Sequence, residues 1–442
     1  MTASAGVWRN WARTESVRPR RVERPTSVGA VQRAVLAAGR AGLTIKAVGA
    51  GHSFTGIAVA PDVQLDLSDL SADGHSALID VDRDRLQVRL LAGTYLHRIP
   101  ALLARYGLAM ANLGDIDRQT IAGAISTGTH GTGGQWGGLA TQVVALTLVT
   151  ADGSLITIST TENADLLPAA RLGLGALGII VDVTLQCVPT FLLHAVETVE
   201  PLDAALDSYL EQSAGKDHYE FYWFPHTTSA LTKTYTRVPA STPHAPLRRL
   251  SRFIDDEVMA NGAYRALCAV GVMAPPLVPR FSRLAERFSA RREYTDASTR
   301  VFVAHRRVRF REMEYALPRA AIPDALREVR ATIERKRWNI SLPLKVGSAA
   351  ADDVWLSTAH GRASGYIAVH RYHREDPSDY FRAVEAIMRE HDGRPHWGKL
   401  HFQSAASLGE LYPHFGDFLA VRNQLDPERR FTNAYLERVL GP

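Results

Sequence analysis

Two stretches of this chain concentrate residue types that can do chemistry. The first reads Gly49-Ala50-Gly51-His52-Ser53, followed by Phe54, Thr55 and Gly56. Gly49, Ala50 and Gly51 have almost no side chain, so their backbone N–H groups stay uncovered and a diphosphate can lie directly on them. His52 and Ser53 close that cradle. Neither familiar nucleotide loop is present. No Gly-x-x-x-x-Gly-Lys-Ser/Thr occurs here, and Thr55, Gly56 and Pro61 deny the helix that a Gly-x-Gly-x-x-Gly loop opens. A plain tight turn, its histidine capping its own loop, uses the same residues. The second stretch, residues 112–138, reads NLGDIDRQTIAGAISTGTHGTGGQWGG and holds His130 within a run of glycines. Further along, Lys399 stands in His396-Trp397-Gly398-Lys399, and His370 alternates with Ala368 and Tyr372 in a strand-like run.

Four segments in order, AVGAGHSF, NLGDIDRQTIAGAISTGTHGTG, GRPHWGKLH and FTNAYLERV, resemble the flavin-binding vanillyl-alcohol oxidase family. Within it they are most similar to the aldonolactone and alditol oxidases. The resemblance spans nearly the whole chain. It implies an α+β fold: a two-part FAD-binding domain (PCMH type) joined to a substrate domain with a large antiparallel sheet. It implies FAD joined covalently to His52, with cofactor contacts from Gly49, Ala50, Gly51, His52, Ser53, Gly114, Asp115, Thr120, Gly123, Ser126, Thr129, His130, Gly131 and Ile180. Lys399 matches the lysine near flavin N1, where a cation stabilises the anionic reduced ring. His370 is a candidate base for the substrate hydroxyl, and equally a strand histidine with a structural role.

The resembling family carries an acid-x-arginine pair on a strand before its last third. Aligning Leu317-Pro318-Arg319 and Asp352-Asp353 places that pair at Lys345-Val346-Gly347, where neither acid nor arginine stands. Either His370 and Lys345 take over proton transfer and binding for a bulkier substrate, or turnover of simple lactones is weak; low activity on gulono-, galactono- and arabinono-lactones is the expectation. The implied substrate is a sugar lactone or polyol, and the acceptor is oxygen or another oxidant. Gly114 has no side chain to block the approach of oxygen. Two other readings use a similar flavin domain: a degenerate flavin-binding protein without lactone oxidase activity, and a nicotinamide-dependent flavin reductase.

At 442 residues the chain is too long for one simple core, and two or three domains are expected. Its 46% hydrophobic and 22% charged residues are ordinary for a globular protein, which argues against disorder. The net charge of +5 comes from scattered basic residues, with local excess at 18–24 and 280–292, and gives no nucleic-acid signature. Cys187 and Cys268, far apart in apolar surroundings, suggest neither a disulfide framework nor a metal site. Residues 1–13 lack the apolar stretch of a secretory signal, and the longest apolar run, 266–279, is broken by Pro275-Pro276 and too short to span a bilayer. The expected location is cytoplasmic, with peripheral membrane contact left open.

The elements that must position these residues follow from periodicity. A helix starts at Ser27 on the apolar face of Val28, Val31, Val35 and Ala38, and Gly42 ends it. Strands are expected at 43–48, 63–67 and 86–91, a helix at 95–106, and a hairpin at 143–149 and 155–158 around Asp152-Gly153. A further strand spans 178–185, and Pro189 closes the domain. After it come strands at 219–224, 230–238, 301–308, 313–317, 341–346 and 366–372, and helices at 322–335 and 380–391. Residues 248–292 read as a basic helical insertion. The expected domains are 1–189 for FAD binding, 190–420 for substrate, and 421–442 returning to the first.

Overall fold

Ser27 begins the first helix, Val28–Arg40, by accepting a hydrogen bond from the Ala30 amide at 3.3 Å. The helix buries Val31, Ala34, Val35 and Ala38, and the chain turns out of it through Gly42 at φ +64°. In this computed structural model, residues 6–70, 77–247, 264–286, 291–304 and 308–442 are described. The strand Ile45–Ala47 comes next and pairs in parallel with Val63–Leu65, which also pairs in parallel with Arg21–Glu23. A second sheet is antiparallel, with Ile179–Pro189 at its centre against Val143–Val149 and Gln87–Leu91. The hairpin of Val143–Val149 and Leu155–Ser159 closes at Asp152, whose carboxylate accepts from Thr150 Oγ1 at 2.6 Å and the Ser154 amide at 3.0 Å.

The rest of the chain builds an eight-stranded sheet. Its inner order is Ser229–Pro239, His218–Trp223, Leu344–Ala349, Ser364–Tyr372 and Phe310–Pro318. The period of two sends Phe221, Leu344, Val346, Met313, Tyr315, Ile367 and Val369 to one face. There the helices Leu202–Gly215, Ile322–Lys336 and Ser378–Glu390 cover them in one apolar cluster. The alternate residues face the glycine-rich loops of the first unit.

One strand expectation needs correction. A strand is expected at 301–308, but Val301 and Phe302 end a short helix, Ser298–Phe302, and bury their side chains in the first core, while residues 305–307 lie outside the described residues. Burial explains the β-branched and aromatic composition there as well as strand pairing would. The boundary expected at 421 falls within a helix, Phe415–Leu425. Leu408, Tyr412, Phe415 and Phe418 already pack in the core shared with the first unit. Of the basic insertion, residues 248–263 and 287–290 lie outside the described residues, while Tyr264–Met273 and Val278–Glu286 are helices.

The C-terminus clamps the cradle. Asn433 donates from Nδ2 to the carbonyls of Gly56, Ile57 and Val59, and its Oδ1 caps the helix Ala434–Leu440. Lys46, fully buried beneath the cradle, donates to Gly175 O at 3.0 Å and Phe431 O at 2.9 Å. Burial pushes its ammonium from the usual 10.5 down to about 7, although Asp426 opposes the shift. A neutral amine still donates two hydrogens, so both bonds survive deprotonation. Between about pH 7 and 10.5 the unfolded lysine holds a proton that the folded one lacks, so stability rises with pH across that window. Melting temperatures of the parent and Lys46→Met from pH 6 to 9 should therefore diverge in favour of the parent as pH rises. A constant difference would show that Lys46 stays charged in the fold.

Candidate active site

The face of the large sheet opposite its helices carries ionisable residues where a solvent-shielded sheet would normally carry apolar ones. On Phe310–Pro318 these are Glu312 and Glu314, both buried. Register places Glu312 directly across from His370, and Glu314 across from Ala368. Ala368 in turn pairs with Lys345, and Lys345 with Tyr222. Glu312, Glu314, His370 and Lys345 line one cavity, of about 810 Å³, together with His52, His130, His396 and Lys399.

Lys399 reaches this cavity because the His396–Lys399 segment runs along the edge of Phe310–Pro318. The amides of His396 and Leu400 donate to Glu314 O at 3.0 Å and Glu312 O at 2.9 Å. The cradle docks on the same segment. Phe54 N donates to Gly398 O at 2.7 Å, and Thr55 Oγ1 donates to Trp397 O at 3.1 Å. A Cβ on Gly398 would sit 3.2 Å from Ser53 Oγ and 3.3 Å from the His396 ring, so glycine permits that approach. Lys399 Nζ makes a close ion pair with Glu312 and lies 5.2 Å from the Phe54 ring centre.

Two histidine–glutamate pairs stand side by side. His370 Nδ1 lies 2.7 Å from Pro343 O, so that nitrogen carries a proton and Nε2 faces Glu312 at 3.4 Å. His130 repeats the pattern, with Nδ1 2.8 Å from Gly131 O and Nε2 3.5 Å from Glu314. Its ring also stacks on Tyr366 at 3.7 Å. Burial alone would raise both carboxyls, but neighbouring charges prevail. Lys399, then His370, holds Glu312 well below the usual range, and His130 takes Glu314 down to about 2.

His130, Glu314 and His396 lie close enough together to suggest a metal site. Hydrogen bonding argues otherwise. His396 Nδ1 accepts from the Gly398 amide at 3.0 Å, and burial holds the ring neutral, its pKa pushed down to about 3. Its remaining proton therefore sits on Nε2, and neither nitrogen offers a free lone pair.

At Lys345-Val346-Gly347, where the resemblance puts an acid-x-arginine pair, the strand Leu344–Ala349 carries neither residue. Lys345 does enter the cavity, where Nζ meets Asp115 at 2.6 Å and Glu220 at 2.9 Å. Gly347 does not. Its carbonyl accepts from Tyr209 at 2.8 Å, and a Cβ there would stand 3.2 Å from Thr132 Oγ1. An arginine at 347 would meet Thr132, not substrate. Two carboxylates, Glu312 and Glu314, stand on alternate residues of the strand Phe310–Pro318 and enter the same cavity as Lys345. The signal was present in Phe-Arg-Glu-Met-Glu-Tyr: two acids two apart in an otherwise apolar strand face one side together.

A second cavity, of about 940 Å³, adjoins the first through His52, Ser53, Gln119 and Thr127. Gly49, Ala50, Gly51, Thr120, Gly123, Ser126 and Ile180 line it. Residues 19–159 match the family described as FAD binding domain, and residues 183–439 match D-arabinono-1,4-lactone oxidase. An L-gulono-1,4-lactone dehydrogenase of Mycobacterium tuberculosis is 41% identical over 436 residues, 99% of each chain. This chain belongs to the D-arabinono-1,4-lactone oxidase family. The family relationship extends to the L-gulonolactone oxidase of Mus musculus, 34% identical over 98% of both chains. An alditol oxidase of Streptomyces sp. is 30% identical, also over 98% of both. The fold is that of cholesterol oxidase from B. sterolicum, which superposes with a TM-score of 0.81 over 99% of this chain and 96% of that one, at 18% identity.

The cradle of this D-arabinono-1,4-lactone oxidase family member fits an FAD diphosphate. The amides of residues 49–53 donate to no acceptor among the described residues, so they are available to an anion. Gly51 holds φ +68°, and a Cβ on Gly49 would stand 2.5 Å from Thr120 Oγ1. Gly114, Asp115, Thr129 and His130 line the catalytic cavity instead of the diphosphate cradle. Gly131 lines neither. A Cβ there would meet Leu113 O at 2.2 Å, so its glycine serves a close chain crossing. Among the described residues, no helix is long and apolar enough to cross a membrane.

Proposed function

We propose that this protein oxidises a CH–OH carbon of an uncharged sugar lactone or polyol bound between Lys399 and the two histidine–glutamate pairs. The observation that carries the reading is Glu312 and Glu314 on alternate residues, each facing a histidine whose other nitrogen is tied to a backbone carbonyl. FAD held by the Gly49–Ser53 cradle would supply the hydride acceptor. His370 presents Nε2 as the acceptor for the hydroxyl proton, and Glu312 beside it stabilises the imidazolium that results. Lys399 supplies the cation for negative charge developing at the cofactor. Among the described residues, Lys345 is held by Asp115 and Glu220, and Lys399 by Glu312, so both ammonium groups are already countered. Such a site offers an open-chain aldonate no uncommitted ammonium and favours its uncharged lactone. Anaerobic titration tests this directly. Lactone or polyol should bleach the flavin and the aldonate should not, whereas bleaching by a nicotinamide donor alone would overturn the reading.

His52 is the proposed covalent anchor. Burial, then Lys399 and Arg118, pushes its pKa down to about 4, so a neutral ring is available to bond the flavin 8α carbon. Forming that bond removes one hydrogen from the ring N–H and one from the methyl group. The two electrons and two protons pass to oxygen or another acceptor. Denatured protein should stay fluorescent on a gel, and His52→Ala should lose the band. Release of all flavin from the parent into acid supernatant would count against the tether.

Oxygen is the proposed acceptor, with access past Gly114. A Cβ at this position would stand 3.0 Å from His130 O and 3.2 Å from Thr129 Cγ2, narrowing the cavity wall. Gly114→Ala should slow stopped-flow reoxidation by oxygen about tenfold while leaving reduction by substrate within twofold. Unchanged reoxidation would confine Gly114 to chain packing.

A further inference from the structure

Trp11 lines two cavities: the catalytic one and a strongly cationic one. The second is an open concavity lined by Arg13, Arg265, Arg309, Arg374 and His373. These come from four places in the chain. Arg13 sits in the N-terminal loop at φ +59°, and Arg265 on the helix Tyr264–Met273. Arg309 precedes Phe310–Pro318, and His373 and Arg374 follow Ser364–Tyr372.

Among the described residues, none of the four guanidinium groups pairs with a carboxylate. The acids that follow in sequence are engaged elsewhere. Glu375 meets Arg371 at 3.6 Å and the Tyr372 amide at 3.3 Å, and Asp376 accepts from the Ser378 amide and hydroxyl. Like charges gathered around one concavity repel, by roughly 1 kcal/mol per pair at 4 Å in water and more where the dielectric is lower. His373 feels that field: its pKa is lowered by burial first, then by Arg309, Arg374, Arg311 and Arg13. Guanidinium forks match phosphate and carboxylate oxygens in pairs, so the arrangement is complementary to a ligand with several negative oxygens.

We propose that this cavity binds a small, multiply charged oxyanion, a phosphate ester or a di- or tricarboxylate, apart from the uncharged sugar in the catalytic cavity. Concavity built from four chain segments suits a small ligand better than the flat face of an acidic protein. Its occupant would steady Trp11. Arg309 Nε donates to Trp11 O at 3.1 Å, and the Trp11 ring stacks on His52 at 6.0 Å and meets Phe310 edge-on at 5.3 Å. Anion binding should therefore perturb the flavin absorbance as well as release heat.

The inference stands apart from the catalytic reading, because binding is measured without turnover. Inorganic pyrophosphate and citrate are titrated calorimetrically into the holoenzyme at low ionic strength, against sodium chloride at matched ionic strength. One of the two anions should bind at least tenfold more tightly than chloride, and which one it is separates phosphate from carboxylate chemistry. Arg13→Ser with Arg374→Ser, both exposed and outside the catalytic cavity, should weaken that binding at least tenfold. Melting temperature should not fall below the parent's, lactone-driven bleaching should stay as in the parent, and Arg265→Ser should reproduce part of the loss. Binding no tighter than chloride, or unmoved by these substitutions, overturns the proposal. Binding of polyglutamate without pyrophosphate or citrate would overturn it too, in favour of an acidic protein partner.

Discussion

Glu312→Gln is expected to slow flavin reduction by substrate a hundredfold or more. Glu312 is buried, ion-paired with Lys399 and 3.4 Å from His370 Nε2, so its charge serves both groups at once. Glutamine keeps the shape and removes the charge that would stabilise an imidazolium on His370. Loss of one preorganised electrostatic partner typically costs about 3 kcal/mol in the transition state. Stability should fall as well, because Lys399 is left as a shielded cation without its counter-charge. Breaking a buried pair from one side costs about 3–5 kcal/mol, and partial exposure of Lys399 places this case toward the low end. Anaerobic stopped-flow and thermal melts check the two halves separately. A reduction rate within threefold of the parent would remove Glu312 from the chemistry, whatever happened to stability.

Lys399→Met should produce a loss of similar size by a different route. The ammonium is the cation that the His396–Lys399 turn directs into the catalytic cavity, where negative charge develops on hydride transfer. Without it the bound flavin should become harder to reduce, which a lowered midpoint potential would report. Glu312 loses the largest influence holding its carboxyl down, so burial raises its pKa and the acid limb of the rate profile moves to higher pH. Combining Lys399→Met with Glu312→Gln removes both charges, so stability should recover toward the parent while activity does not. If the double variant were less stable than both single ones, the pair would not be coupled as its geometry requires.

Much of the fold follows from local patterns. Ser27, the four apolar residues after it and Gly42 specify a helix whose ends the structure places within a residue or two. Asp152-Gly153 specifies the hairpin because the aspartate bonds its own turn. Val301 and Phe302 fit a strand pattern because β-branched and aromatic residues report burial, and a short buried helix satisfies that as well as a strand.

By itself the sequence determined the glycine cradle at residues 49–51, the placing of His52 at its end, and the presence of Lys399 in a tight turn. Each is a property of a few consecutive residues, set by small side chains and backbone freedom. Only the tertiary structure decided which charges meet. Lys345 and Gly347 share one face of their strand by the period of two, yet Lys345 opens into the catalytic cavity and Gly347 is covered by Thr132. Alternation fixes the face, but the loop that crosses above it fixes what each residue touches. The pairing of Glu312 with His370 arises the same way, from a register between strands 58 residues apart that no local spacing encodes.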